Sequence, residues 1–188
     1  MLAFISKCIL KMAGWKITQP IPKELKKCVL VVAPHTSNMD YVWGRLGFFV
    51  LKVKVKFLIK KEAFFFPVGG LIKAWGGIPV HRTKNNRMVE YIADLFDQYD
   101  SLYVVVTPEG TRSLVKNWKR GFYYIALEAK VPLALTYLDY QKKEVGYGGM
   151  IVPTGNYKDD LALIQDFYRD KVPCHPENFN LSSINNPK

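Results

Sequence analysis

Short apolar, β-branched runs alternate with segments of helical period along most of this chain, and that alternation constrains its fold more than any other feature. The runs 28–33, 54–59, 77–81, 102–107 and 132–138 read as strands, and the stretches 40–51, 69–75, 85–99, 120–130 and 159–170 read as helices. Strand and helix taking turns predicts an α/β architecture: a single domain with a largely parallel, mixed sheet flanked by helices. Gln141–Glu144 reads as a polar turn into a late strand near Met150–Val152. The 188 residues suffice for one buried core, and no repeat, linker or composition break divides them. Cys8, Cys28 and Cys174 are odd in number and form no CxxC pair, which excludes a disulfide framework and a cysteine zinc site and fits a reducing, cytosolic setting.

Residues 1–61 hold 12 Lys/Arg against 2 Asp/Glu, net +10, whereas residues 62–188 are nearly balanced at 15 against 14. A basic face of this kind meets nucleic acid, an anionic membrane or a phosphorylated substrate. The first fifteen residues narrow the choice. On a helical wheel Lys7, Lys11 and Gly14 share one wedge, while Leu2, Phe4, Ile5, Ile9, Leu10, Met12 and Trp15 cover most of the rest. Such a helix is too short and too charged to cross a bilayer and lacks a signal-peptide cleavage site. Two accounts remain, an amphipathic membrane-associating helix over 1–15 ahead of a domain at 16–188, or a helix docked on the protein's own core. Lys52, Lys54 and Lys56 alternate with Val53, Val55 and Phe57 at strand period, which would give one cationic face; Lys60 and Lys61 extend it. No nucleic-acid-binding motif is present.

In folds of this class, function gathers where strands end. The first such place is Pro34-His35-Thr36-Ser37-Asn38-Met39-Asp40. A turn between strand and helix can bring Asp40 onto the Nδ1 hydrogen of His35, leaving Nε2 to take a proton from a hydroxyl. Alone, this spacing is equally served by Ser37, Asn38 or Asp40 as a helix N-cap and His35 as a surface histidine. The second place is Thr107-Pro108-Glu109-Gly110-Thr111-Arg112-Ser113, where backbone N–H groups, hydroxyls and a guanidinium could bind a phosphate; a turn with an exposed ion pair accounts for it as well. The third is Gly77-Ile78-Pro79-Val80-His81-Arg82, whose arginine alone reads as an ordinary surface charge. His81 has no metal-ligand neighbours, and His175 carries no assigned role. Phe64, Phe65, Phe66, Leu71 and Trp75 are apolar and closely spaced, and ordinary core is the stronger account of them.

Taken together and in order, these segments resemble the glycerolipid acyltransferases of the lysophosphatidic acid acyltransferase type. The four matching blocks are His35–Asp40 (HxxxxD), Gly77–Arg82 (GxxxxR), Glu109–Ser113 (EGTRS) and Val131-Pro132-Leu133-Ala134-Leu135, with Ala134 where a second proline often stands. The similarity runs over roughly residues 28 to 140. It implies transfer of a fatty acyl group from acyl-CoA or acyl-carrier protein to the free hydroxyl of 1-acyl-sn-glycerol-3-phosphate, giving phosphatidic acid. Another lysophospholipid or a lyso-aminolipid is the alternative acceptor, and a non-catalytic lipid-binding protein the less favoured reading. By the same resemblance His35 is the general base and Asp40 its orienter, while Arg82, Glu109, Gly110, Thr111 and Arg112 bind the acceptor. No metal or organic cofactor is expected, nor a covalent acyl-enzyme, since no GxSxG elbow occurs. The expected partners are the thioester donor, a lysophospholipid and an anionic membrane surface, without nucleic acid, at the cytoplasmic face of the membrane as a peripheral or monotopic protein.

Overall fold

A computed structural model describes residues 1–80 and 85–181. Its elements are α1 (Leu2–Met12), β1 (Lys16–Ile17), β2 (Lys27–Val32), α2 (Met39–Val50), β3 (Val55–Lys60), α3 (Val68–Ala74), β4 (Gly77–Val80), α4 (Asn85–Gln98), β5 (Leu102–Val106), α5 (Gly121–Glu128), β6 (Leu133–Asp139), β7 (Glu144–Ile151) and α6 (Tyr157–Tyr168). The strands form one seven-stranded sheet in the order β1-β7-β6-β2-β5-β3-β4. Strands β6, β2, β5, β3 and β4 run parallel; β7 is antiparallel to β6, and β1 is parallel to β7. This is the expected α/β domain with a mixed, largely parallel sheet.

The centre of the sheet is apolar on both faces, as helices packed on both sides require. Along β2 the side chains alternate: Val29 and Val31 pack with Ile92 and Phe96 of α4, Phe122 and Ile125 of α5, and Leu161 and Ile164 of α6. Cys28 and Leu30 face the other way, with Phe48 of α2. Burial pushes the Cys28 thiol up to about 12, so it is an inert core side chain. Trp15 joins the second face through Leu10, Leu138 and Val145, and its ring stacks on Trp43 at 5.3 Å.

Helix α1 therefore docks on the body of the protein by a narrow side, with Leu10 and Trp15 buried. Its broad apolar side stays open, Phe4 at 73% and Met12 at 81% exposure. Among the described residues no helix is long and apolar enough to cross a membrane.

Several expectations need correction. The late strand starts at Glu144 rather than near Met150, because Gly146, Gly148 and Gly149 interrupt the apolar pattern. The ring of Phe167 occupies the place where a side chain at Gly148 would stand, so close approach of α6 explains the glycine. The lysine stripe is not one continuous strand face: Lys52 sits in the turn after α2 with φ 58°, Lys54 precedes the strand, and only Lys56 and Lys60 lie on β3. Phe65, Phe66, Leu71 and Trp75 are exposed rather than core. His81 and Arg82 lie outside the described residues.

Candidate active site

Two loops leave the carboxyl ends of neighbouring parallel strands. Strands β2 and β5 pair in the register Val31↔Val106, so the segment opening at Ala33 and the one opening at Thr107 start side by side. The first turns through a cis Ala33–Pro34 peptide to His35 and enters α2. The second runs from Thr107 to Arg120 and enters α5.

Within the first loop everything converges on one carboxylate. Asp40, in the first turn of α2, reaches back so that its Oδ2 accepts the backbone N–H groups of Thr36 and Ser37, both at 2.8 Å. The same oxygen lies 3.1 Å from His35 Nδ1, and since a carboxylate only accepts, that nitrogen carries the hydrogen. Oδ1 accepts the hydroxyl of Tyr140 at 2.6 Å. Burial alone would raise the Asp40 carboxyl, but the bonds from His35, Tyr140 and Ser37 outweigh it and hold the group below its ordinary range. Asp40 is thus an anion at neutral pH. It is not the cap of α2; that position is Asn38, whose side chain makes no capping bond. The histidine–carboxylate pair that HxxxxD allows is formed, while the cap position falls to Asn38, one of the three candidates.

The second loop supports the first from below. Glu109 is 2% exposed, and its Oε1 accepts the backbone N–H of His35 at 3.0 Å. Burial pushes its carboxyl up to about 8, against the smaller opposing effect of the hydrogen bonds, and the nearby Asp40 charge adds to the rise. Glu109 therefore stands under the histidine loop, outside the cavity wall. Gly110 turns the chain with φ 66°, a conformation that favours glycine, and the end of the Lys119 side chain packs over it. Thr111 is exposed, and its Oγ1 accepts the Ser113 N–H at 3.3 Å.

Between the loops opens a cavity of about 1050 Å³. His35, Asp40, Gly110 and Arg112 line it, whereas Glu109 and Thr111 do not. With Nδ1 engaged by Asp40, Nε2 is the ring nitrogen that can serve a ligand. Apolar wall comes from Tyr41, Phe48, Phe57, Met88, Phe122 and Ile125, and cationic wall from Arg45, Arg112, Lys119 and Arg120. Two of these cations are held by aromatic rings: Arg45 lies 4.4 Å from the Phe49 centroid, and Arg120 5.0 Å from that of Tyr157. The arrangement suits a long apolar chain, an anionic headgroup and proton removal at one point. Among the described residues no cluster of His, Cys, Asp and Glu could hold a metal ion.

Sequence reasoning missed Tyr140, Lys119, Arg120 and Arg45. Tyr140 was within reach, because it directly follows β6 and residues just past a strand end were the ones to inspect. The C-terminal segment was also missed: the His175 N–H donates to Thr36 Oγ1 at 3.1 Å, 139 residues away.

Comparison with known proteins adds two findings. A family model described as Acyltransferase matches residues 15–137. Among solved structures the chain is similar to "Crystal Structure of the 1-acyl-sn-glycerophosphate (LPA) acyltransferase, PlsC, from Thermotoga maritima". The TM-score is 0.59 and the identity 20%, over 89% of this chain and 74% of that one, a likeness of fold. No curated protein matches.

Proposed function

The chain belongs to the acyltransferase family, and from that premise we propose that it moves a fatty acyl group from acyl-CoA or acyl-carrier protein to the free hydroxyl of 1-acyl-sn-glycerol-3-phosphate, forming phosphatidic acid. One observation carries this reading: the His35–Asp40 pair stands in the wall of a large, mostly apolar cavity that also bears four cations.

In the reaction, Nε2 of His35 takes the proton as the acceptor oxygen attacks the thioester carbonyl carbon. The imidazolium so formed is stabilised by the Asp40 anion. Collapse of the tetrahedral intermediate breaks the C–S bond, and the proton passes from His35 to the departing thiolate. Because a thioester is already activated, positioning and one base supply most of the acceleration, with the base worth ~10²–10⁴-fold.

Arg112, Lys119, Arg120 and Arg45 face the acceptor phosphate, and the resemblance adds Arg82 to them. Gly110 lets the loop approach it closely. Glu109 acts on His35 from beneath instead of touching the acceptor. The exposed Leu2, Phe4 and Met12, with Lys7 and Lys11, rest on the anionic cytoplasmic face of the membrane. The lysophosphatidic acid acyltransferase activity of the Thermotoga maritima protein supports the choice of acceptor.

Thioester consumption, measured with both donors against lysophosphatidic acid, other lysophospholipids and lyso-aminolipids, tests the proposal. Arg112→Ala should raise the KM for the phosphorylated acceptor about tenfold and leave KM for the donor alone. Better catalytic efficiency on a phosphate-free acceptor would overturn the headgroup assignment. For the membrane contact, Phe4→Ser with Met12→Ser should reduce sedimentation with anionic vesicles, since both side chains are free of core contacts.

A further inference from the structure

Asp40 collects three of its four donors on one oxygen. A carboxylate held that way can still pivot about its Cβ–Cγ bond, and any pivot moves the point on which the His35 ring hangs. The remaining oxygen is pinned by a single contact, the Tyr140 hydroxyl at 2.6 Å. Burial and the Asp40 anion keep that phenol far above its ordinary range, so it stays a donor at any working pH.

Tyr140 is itself firmly mounted. Its backbone N–H donates to the Val172 carbonyl at 2.8 Å, and its ring meets Trp15 edge-on at 5.0 Å. The segment after Val172 continues across the site. His175 N–H donates to Thr36 Oγ1, and the Asn180 carbonyl accepts Trp118 Nε1–H at 3.0 Å, reaching the second loop. One stretch of chain, 172–180, thus ties together Tyr140, the histidine loop and the loop bearing Arg112. Tyr140 and this stretch both lie beyond the residues matched by the family model.

We infer that Tyr140, mounted on the C-terminal segment, is a positioning residue for the base: its hydroxyl fixes the rotation of Asp40 and thereby the orientation and proton affinity of His35. The inference rests on the reading of His35–Asp40 as the base. Tyr140 touches neither donor nor acceptor; it acts through Asp40. The other ionisable groups around the pair are Glu109 beneath the loop, Cys174 beside Tyr140, Tyr168 near Glu109, and Arg112 and Lys119 across the cavity.

Tyr140→Phe keeps the ring and its packing and removes only the hydroxyl. Freed of that donor, Asp40 presents more negative charge to the imidazole, which is then easier to protonate. The variant should therefore lose about tenfold in kcat with little change in KM, and the acid limb of its pH profile should move to higher pH. In an Asp40→Asn background the same substitution should change kcat less than twofold, because the residue it acts through is gone. Nitrogen-15 NMR of the His35 ring reads the effect without substrate: its titration moves up in Tyr140→Phe. A titration that moves in a protein showing no acyl transfer would uphold this inference while overturning the proposed function. An unmoved titration and acid limb, or a full tenfold loss persisting beside Asp40→Asn, would overturn the inference and leave Tyr140 as packing.

Discussion

Two buried aspartates of this protein are built alike and end differently. Asp40 and Asp160 each sit in the first turn of a helix, α2 and α6, where the helix dipole favours an anion. Each reaches back to backbone N–H groups before its helix, Asp40 to Thr36 and Ser37, Asp160 to Thr154 at 2.7 Å. Each accepts a tyrosine hydroxyl, from Tyr140 at 2.6 Å and from Tyr123 at 2.7 Å. What remains differs. Asp160 spends its last capacity on the Thr154 hydroxyl and closes into a rivet between α5 and the start of α6. Asp40 spends it on an imidazole that lines a cavity. Chemical capacity therefore comes from the partner left open to a ligand, not from the buried carboxylate.

The contrast is broken most sharply by removing the partner that differs. His35→Ala should lower acyl transfer ~10²–10⁴-fold while the melting temperature stays near that of the wild type, as thioester release and calorimetry would show. Equal losses of activity and of fold would erase the distinction between the two aspartates.

Glu109 sharpens it from another side, as a buried carboxyl without a matching set of donors. Its value of about 8, against an ordinary 4.5, means that the folded state keeps a proton which the unfolded chain has released. Stability should fall as pH rises from about 4.5 to 8 and be level in this respect above that. Glu109→Gln keeps an acceptor for the His35 N–H and should flatten that slope, gaining a few kcal/mol over the wild type at the alkaline end; denaturant titrations across the window would show it. An unchanged slope would mean that Glu109 ionises freely in the folded protein.

Asp160→Asn should act on stability alone. Leaving Tyr123 and Thr154 poorly matched costs about 1–3 kcal/mol, a melting temperature several degrees lower, with specific activity unchanged at assay temperature. The smallest effect separates the two helix starts themselves. Asn156 caps α6, its side chain accepting the Asp159 N–H at 3.4 Å, whereas Asn38 makes no such bond at α2. Asn156→Ala should cost about 0.5–1 kcal/mol in urea unfolding and Asn38→Ala close to nothing.

Much of this was legible in the residues. The strands at 28–33 and 102–107 and the polar loops following them followed from local pattern, and HxxxxD carried the histidine and its carboxylate because five positions around a turn is a local distance. The place of Tyr140 just past β6 marked it for inspection, but its contact with Asp40, like that of His175 with Thr36, was not legible, since the partners stand 100 and 139 residues apart and no spacing encodes such contacts. The burial of Glu109 was hidden for a related reason: an acid in a Pro-Gly loop reads as exposed until the neighbouring histidine loop supplies the N–H above it. In β7 the glycines erased the alternation that marks a strand, and two of them, Gly146 and Gly148, make room for Thr18 just after β1 and Phe167 of α6. Apolar character misled in the opposite direction at Phe66, 96% exposed where packing was the simpler expectation.

The pairing of β1 with β7 also sets a clock. Lys16 lies against Glu144, so the first strand finds its neighbour only after more than a hundred further residues have been made. At ribosomal speeds that is a delay on the order of ten seconds. Throughout it, α1 has left the ribosome with neither Leu138 nor Val145 to cover Leu10 and Trp15. During its own synthesis this enzyme therefore offers an apolar, lysine-bearing helix to its surroundings well before it can offer an active site.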